Sequence, residues 1–466
     1  MENFWDFSVW GGLVLIGTLL GSMLLGNAIK KATPGLRSSL IPTSVIGGMI
    51  LLVISEIYHA CTGKVMYNTQ LFGGNGSALL EIITYHCLAL GFIASTFKSS
   101  GAKVGKERTK EIFNTGVTTV STYLLQAIVG MGITFIAASI MSEFFPVAGI
   151  LLPFGYGQGT GQAMNYGQIY ENQYGVVGGK SFGLTIAALG FLSASIGGVI
   201  YLNVKKKRGT LKIASGKREN YKAEDIQSEN EIPMQESIDK MTIQVALVIF
   251  AYLIAYLIIY ILGTLLPGMK AVLYGFNFLF GVLAAVLVKF ALNNLRKAKA
   301  MKHKYVNDFL MTRVSNFFFD VIVVAGIAAI RLDILENYWG LIIILAIAGM
   351  LVTFFYERLV AKTLFRSYYE EQFLMMYGML TGTASTGIIL LREIDGEFKT
   401  PAADNMVYQN FPAIVFGFPM MILATLAPEK PWLAYGIFVG FFIVMNIILF
   451  RSLIFRRSKD ESKDQK

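Results

Sequence analysis

The sequence is poor in the groups on which most enzymes and metal proteins depend. Three histidines, His59, His86 and His303, and two cysteines, Cys61 and Cys87, occur in 466 residues. None of the histidines has a His or Cys neighbour at ligand spacing, so a zinc centre has no donor set, and one cysteine pair cannot define a disulfide framework. No Ser-His-Asp, HExxH or paired-carboxylate cluster is present, so the chain is not expected to be an enzyme and needs no bound cofactor. Charge is scarce as well: charged residues make up 15% of the chain and hydrophobic ones 54%. That balance is too apolar for a soluble protein of several domains and fits an all-helical, polytopic membrane protein. The formal net charge of +10 does not indicate nucleic acid. Its basic residues lie in short clusters between apolar runs, where the positive-inside rule puts them.

Apolar windows long enough to cross a bilayer, at roughly 20 residues each, fall at 7–29, 40–58, 78–97, 113–142 and 178–203. After a polar stretch rich in Lys, Glu, Asn and Gln come 241–266, 271–293, 314–332, 338–360, 407–427 and 432–455, giving about eleven spans. Basic clusters follow alternate spans: Lys30, Lys31 and Arg37; Lys98 to Lys110; Lys205 to Lys222; Arg296 to Arg313; Lys362 and Arg366; and Arg451 to Arg457. These loops are expected to face the cytoplasm, with the N-terminus outside and the C-terminus inside. The alternation holds only if 145–174 and 372–398 enter and leave the membrane from one side as re-entrant hairpins.

Both of those stretches are crowded with small residues. The first carries Phe154-Gly-Tyr-Gly-Gln-Gly-Thr-Gly-Gln-Ala163, and its following polar run, Met164 to Tyr174, reads as a return to the surface. The second carries Tyr377-Gly-Met-Leu-Thr-Gly-Thr-Ala-Ser-Thr-Gly387. Within a membrane, backbone of this kind persists where it lines a cavity or binds something. A tightly packed small-xxx-small interface is the alternative reading. The Gly-Thr-Gly run lacks the Lys-Ser/Thr ending of a phosphate loop. Recurrence of the pattern in both parts of the chain predicts an inverted-repeat secondary transporter. Its parts are an N-terminal repeat (1–204) with a hairpin near 145–174, a cytoplasmic charged linker (205–240), an inverted C-terminal repeat (241–427) with a hairpin near 372–398, and an additional helix with a cytoplasmic tail (428–466).

Helices broken inside a membrane offer free amides to carboxylates and free carbonyls to cations. Gly157, Gln158, Gly159, Thr160, Gly161 and Gln162, with Thr383, Ser385 and Thr386, are therefore the expected substrate-binding residues. The chemistry suits a small anionic amino acid or carboxylate together with a hard cation such as sodium. Sodium candidates are Thr160, Thr381, Gly382 and Thr383, joined by the ionisable or amide residues Asp320, Asp404 and Asn405. Asp320 also reads as a partner of Arg313, and Asp404 as a helix N-cap. Gln126 either lines the cavity or bridges two helices. Arg392 either meets a substrate carboxylate or serves as a cytoplasmic loop cation.

At these residues the chain resembles the bacterial sodium:glutamate symporter family. Gly157-Gln-Gly-Thr-Gly161, with Ala163 and Tyr174-Gly175, is similar to that family's re-entrant motif, although Gln158 stands where a His is common. Ile41-Pro-Thr-Ser-Val-Ile-Gly-Gly48 and Ala89-Leu-Gly-Phe-Ile-Ala94 extend the likeness. The resemblance implies two inverted halves with opposed hairpins, sodium as the coupling ion, glutamate as the substrate and a bacterial plasma membrane as the location. It leaves room for a homodimer. A carrier of another organic anion is the first alternative. A channel is the second, disfavoured because the two hairpins differ in sequence.

Overall fold

The structure, a computed structural model, describes residues 4–38, 41–97, 106–141, 144–209, 231–234, 238–267, 270–395 and 399–461. Most of the expected linker lies outside them. No strand forms among the described residues; Glu231 and Lys304 make an isolated bridge. Helices are what the apolar windows must form, because in hydrocarbon every backbone amide and carbonyl has to find its partner within the segment.

The helices that matter here are α1 (Phe7–Ala32), α2 (Thr43–Thr62), α3 (Gly76–Phe97), α4 (Lys106–Ile140), α5 (Leu151–Gln158), α6 (Thr160–Tyr174), α7 (Gly179–Lys207) and α8 (Lys240–Leu265). They continue with α9 (Asn277–Lys297), α10 (Asp308–Ala328), α11 (Trp339–Leu364), α12 (Tyr369–Thr381), α13 (Ala384–Arg392), α14 (Ala402–Tyr408), α15 (Asn410–Leu426) and α16 (Pro431–Glu461). Ten helical stretches among the described residues are long and apolar enough to cross a membrane. The chain is thus an all-helical, multi-pass membrane protein.

The window expected at 407–427 behaves differently from the other ten. Its chain divides at Gln409 into α14 and the 17-residue α15, which reaches about 26 Å, short of a typical hydrocarbon core. At the division Gln409 is buried and its Oε1 accepts a hydrogen bond of 2.9 Å from Thr119 of α4, while Pro412 has no amide hydrogen to give the Tyr408 carbonyl, which interrupts the helical ladder there.

The chain forms two compact units, each drawing on both sides of the linker. One comprises Met1–Ala28, Thr43–Gly101 and Arg218–Ala329; the other comprises Ile29–Pro42, Ala102–Lys217 and Ile330–Lys466. In the first, Leu15 and Leu19 of α1, Leu51 of α2, Leu80 of α3 and Val324 of α10 share one core. A second core joins Ile93 and Phe97 of α3 to Val248 and Ala251 of α8, Ala285 of α9 and Met311 of α10. Asp239 caps α8 by accepting from the amides of Met241 and Thr242, and Asn307 caps α10 by accepting from Leu310. Just before α8, Glu231 is buried against Lys240 and Asn307.

The second unit holds α4 to α7 and α11 to α16. In its core, Tyr201 and Leu202 of α7 pack with Ala361 of α11, Phe373 and Tyr377 of α12 and Leu390 of α13.

Candidate functional site

Two helix pairs in the second unit are interrupted at their glycines. The first breaks between α5 and α6 at Gly159, whose φ of 80° and ψ of −173° lie in a region open essentially to glycine alone. Inside this pair Phe154 stacks on Tyr166, ring centroids 3.6 Å apart and planes within 9°. The second pair breaks at Gly382 and Thr383, between α12 and α13. Its arms touch backbone to backbone, since a Cβ on Gly378 would come within 2.8 Å of the Gly387 Cα.

The two breaks meet. A Cβ on Gly159 would lie 3.6 Å from the Thr383 Cγ2. The N-termini of α6 and α13 therefore start beside one another, as do the carbonyl ends of α5 and α12. Partial positive charge from the amides and partial negative charge from the carbonyls thus share one locality, which suits an anion and a cation bound together. The Thr383 side chain takes one amide, accepting from Thr386 N at 3.4 Å, and no side chain caps α6.

Neighbouring helices fix both breaks. Tyr123 of α4 donates to the Gly157 carbonyl at 3.0 Å. Gln126, also on α4, donates through Nε2 to Thr353 Oγ1 of α11 at 2.7 Å and to the Leu380 carbonyl at 2.9 Å, just before the second break. Of its two expected roles, it thus bridges helices. Ser193 of α7 serves both pairs: its hydroxyl meets Tyr156 of α5 at 2.9 Å, and its carbonyl accepts from Tyr377 of α12 at 2.8 Å. The Gln158 and Gln162 Nε2 atoms and the Gln126 Oε1 are buried with no hydrogen-bond partner among the described residues. Folded proteins rarely keep such groups without a ligand or water to complete them.

Most of the expected site residues are gathered here. Gly157, Gln158, Gly159, Thr160, Gly161 and Gln162 occupy the first break and the turns flanking it, and Thr381, Gly382, Thr383 and Thr386 occupy the second. Thr160, Gln162, Thr381 and Thr386 are fully buried. Ser385 falls in the first turn of α13, and its side chain lies outside the described residues. The acidic and amide candidates are placed elsewhere. Asp320 is on α10, in the other unit, where it is exposed. Asp404 lies within the first turn of α14, after the N-cap Pro401, and its largely exposed carboxylate stands 3.7 Å from Arg108. Asn405 is buried; it donates to the Tyr368 hydroxyl at 2.9 Å and to Gln372 Oε1 at 3.1 Å, and accepts from Arg108 at 3.0 Å. Gln372 is nine residues before Thr381, roughly 13 Å along α12. Arg392 ends α13, remote from that helix's N-terminus.

Sequence reading missed two features. The run expected to return to the surface is instead the buried helix α6. Its tyrosines 166, 170 and 174 donate to the carbonyls of Met421, Ala424 and Thr425 on α15, at 2.9, 2.8 and 3.0 Å. Their four-residue spacing, which puts them on one helix face, was the available signal. The other is Glu357, a buried carboxyl in the middle of an apolar span.

The Gln126 bridge can be tested by stability. Gln126→Leu leaves the Leu380 carbonyl without its side-chain donor, and an unsatisfied buried group costs about 1–3 kcal/mol. A lower unfolding midpoint in detergent is expected; a midpoint equal to the wild type's would show that the bridge contributes nothing.

The model of a family described as sodium/glutamate symporter matches residues 11–390. Comparison with curated proteins finds no match.

Proposed function

The chain belongs to the sodium/glutamate symporter family, and on that premise we propose that it imports glutamate, or a similar small anionic amino acid, together with sodium. The observation that carries this reading is the meeting of the two glycine breaks, which brings two helix N-termini and two carbonyl ends into contact. Substrate carboxylates are bound by the amides opening α6 and α13 and by Gln158, Gln162, Thr160, Thr383 and Thr386. Sodium is held by carbonyl oxygens of the opposite ends together with hydroxyl oxygens at the breaks, with Thr160, Thr381, Gly382 and Thr383 as its candidates.

The two pairs act as re-entrant hairpins in inverted halves, a design that puts the site near the bilayer midplane. With α14 and α15 together completing an eleventh crossing, the basic loops support an N-terminus outside and a C-terminus in the cytoplasm, and the family resemblance implies a bacterial plasma membrane. Coupling follows if sodium and substrate each strengthen the other's binding in the state that changes access. Protons are absorbed in the linkage only where a buried acid can hold one.

Proteoliposomes holding the purified protein should accumulate labelled L-glutamate when an inward sodium gradient is imposed. Replacing sodium by choline should abolish accumulation. Uptake that persists in choline would refute sodium coupling, and no uptake of glutamate under any gradient would refute the substrate.

A further inference from the structure

Glu357 lies in the α11 span, fully buried, and no part of the proposed transport site uses it. It is hydrogen-bonded to the Thr122 hydroxyl of α4. One helical turn away on both helices stands the next rung, Gln126 with Thr353, which also reaches the Leu380 carbonyl at the second break. The two rungs tie α4 to α11 along a face that ends at the site.

Thr122 has one hydroxyl hydrogen and two oxygens within reach, because its Oγ1 is also 2.9 Å from the Thr118 carbonyl in the ordinary back-bond of a helical threonine. A carboxylate can only accept. With Glu357 ionised, one hydrogen would serve two acceptors, and a full negative charge would sit in the bundle interior. With Glu357 protonated, its own hydrogen goes to Thr122 and the Thr122 hydrogen goes to Thr118, so each hydrogen has its own acceptor.

Among the described residues no cation pairs with Glu357. Several charged and titratable groups on the packed elements have contacts of their own. On α11 itself, the Tyr356 hydroxyl donates to Asn446, and the Arg358 guanidinium lies over the Tyr201 ring, its buried Nε without a hydrogen-bond partner among the described residues. On α7, Tyr201 and Lys205 both hold Glu370, which opens α12. Tyr377 of α12 and Tyr156 of α5 are bound at Ser193. On α4, Tyr123 is bound to Gly157, while Arg108 pairs with Glu111. Arg451 of α16, which packs on α4, is held by Asn114.

We propose that Glu357 is a proton-binding residue of this unit, carrying a proton in the arrangement described and donating it to Thr122. The site stands whether or not glutamate is the substrate, since it depends on the α4–α11 contact alone. An acid here supplies a place where a proton can be held within one turn of the bridge to the second break.

Infrared difference spectroscopy of the purified, lipid-reconstituted protein at neutral pH tests this without substrate. The wild-type minus Glu357→Gln spectrum should show a protonated-acid C=O band lost in the variant. A difference confined to ionised-carboxylate bands would overturn the proposal. Should Glu357→Gln not fold, Thr122→Val supplies a second reading: the acid band should persist and move to higher frequency as its acceptor is removed. An acid band left unmoved by Thr122→Val would equally overturn the assignment.

Discussion

Gly159→Ala protein, reconstituted at wild-type density, is expected to lose sodium-driven glutamate uptake by roughly 5- to 150-fold. The loss is a backbone effect. A Cβ at this position would meet the Thr383 Cγ2 at 3.6 Å, an ordinary contact, so there is room for the methyl group. What alanine cannot do cheaply is adopt a φ of 80° with a ψ of −173°, a conformation that costs about 1–3 kcal/mol in any residue but glycine. The chain relieves that strain by turning the peptide at the break, which redirects the first amides of α6 and the last carbonyls of α5. Gly132→Ala is the control, because Gly132 has ordinary helical backbone in α4, lies outside the breaks, and a Cβ there would meet only the Tyr435 hydroxyl at 3.8 Å. Uptake assays on both variants, with unchanged elution on size exclusion as the check on folding, decide the matter. Undiminished uptake by Gly159→Ala would show that the break does not position the site.

The second large effect is on stability. Lys240→Met is expected to destabilise the first unit by about 3–5 kcal/mol, the range for removing one partner of a buried ion pair. The Lys240 and Glu231 side chains are both fully inaccessible, and Nζ stands 2.8 Å from Oε2. Asn307 Nδ2 donates to the same oxygen at 2.6 Å, while the Lys304 ammonium is 3.5 Å from Oε1. Removing the lysine takes from a buried carboxylate its fully buried cation, and the Lys304 ammonium, partly exposed, is also shared with Asp308 at 3.1 Å. Exchanging both partners for apolar residues, Glu231→Leu with Lys240→Met, should recover much of the loss, because the cost lies in the uncompensated charge. Denaturation in mild detergent measures both. A single variant as stable as the wild type, or a double variant no better than the single, would contradict this account.

The buried Glu231–Lys240 pair was not legible in the sequence, whereas the two glycine breaks were. Glu231 and Lys240 are nine residues apart and read in sequence as members of a charged linker; nothing local marks them for burial. Their partners, Lys304 and Asn307, come from the turn before α10, more than sixty positions downstream, as the hydrogen bond between Asn307 and Glu231 shows. Tyr166, Tyr170 and Tyr174 give a similar lesson. A polar-looking run between glycines resembles surface chain until α15 supplies carbonyls for all three hydroxyls.

What the sequence determined by itself was whatever depends on neighbours along the chain. Twenty-residue apolar windows must be helical in lipid because no other source of backbone hydrogen bonds exists there. Glycines clustered at Gly155 to Gly161 and Gly378 to Gly387 weaken helices wherever they occur, so both breaks were visible as composition. Tertiary structure alone decided which distant segments share an interior. It paired Thr122 with Glu357, Gln126 with Thr353 and Thr119 with Gln409, and drew Asn405 into a network with Arg108 and Gln372. A buried polar group is stable only with its partner in place, and that partner is chosen by packing in three dimensions, which hydropathy and spacing along the chain do not record.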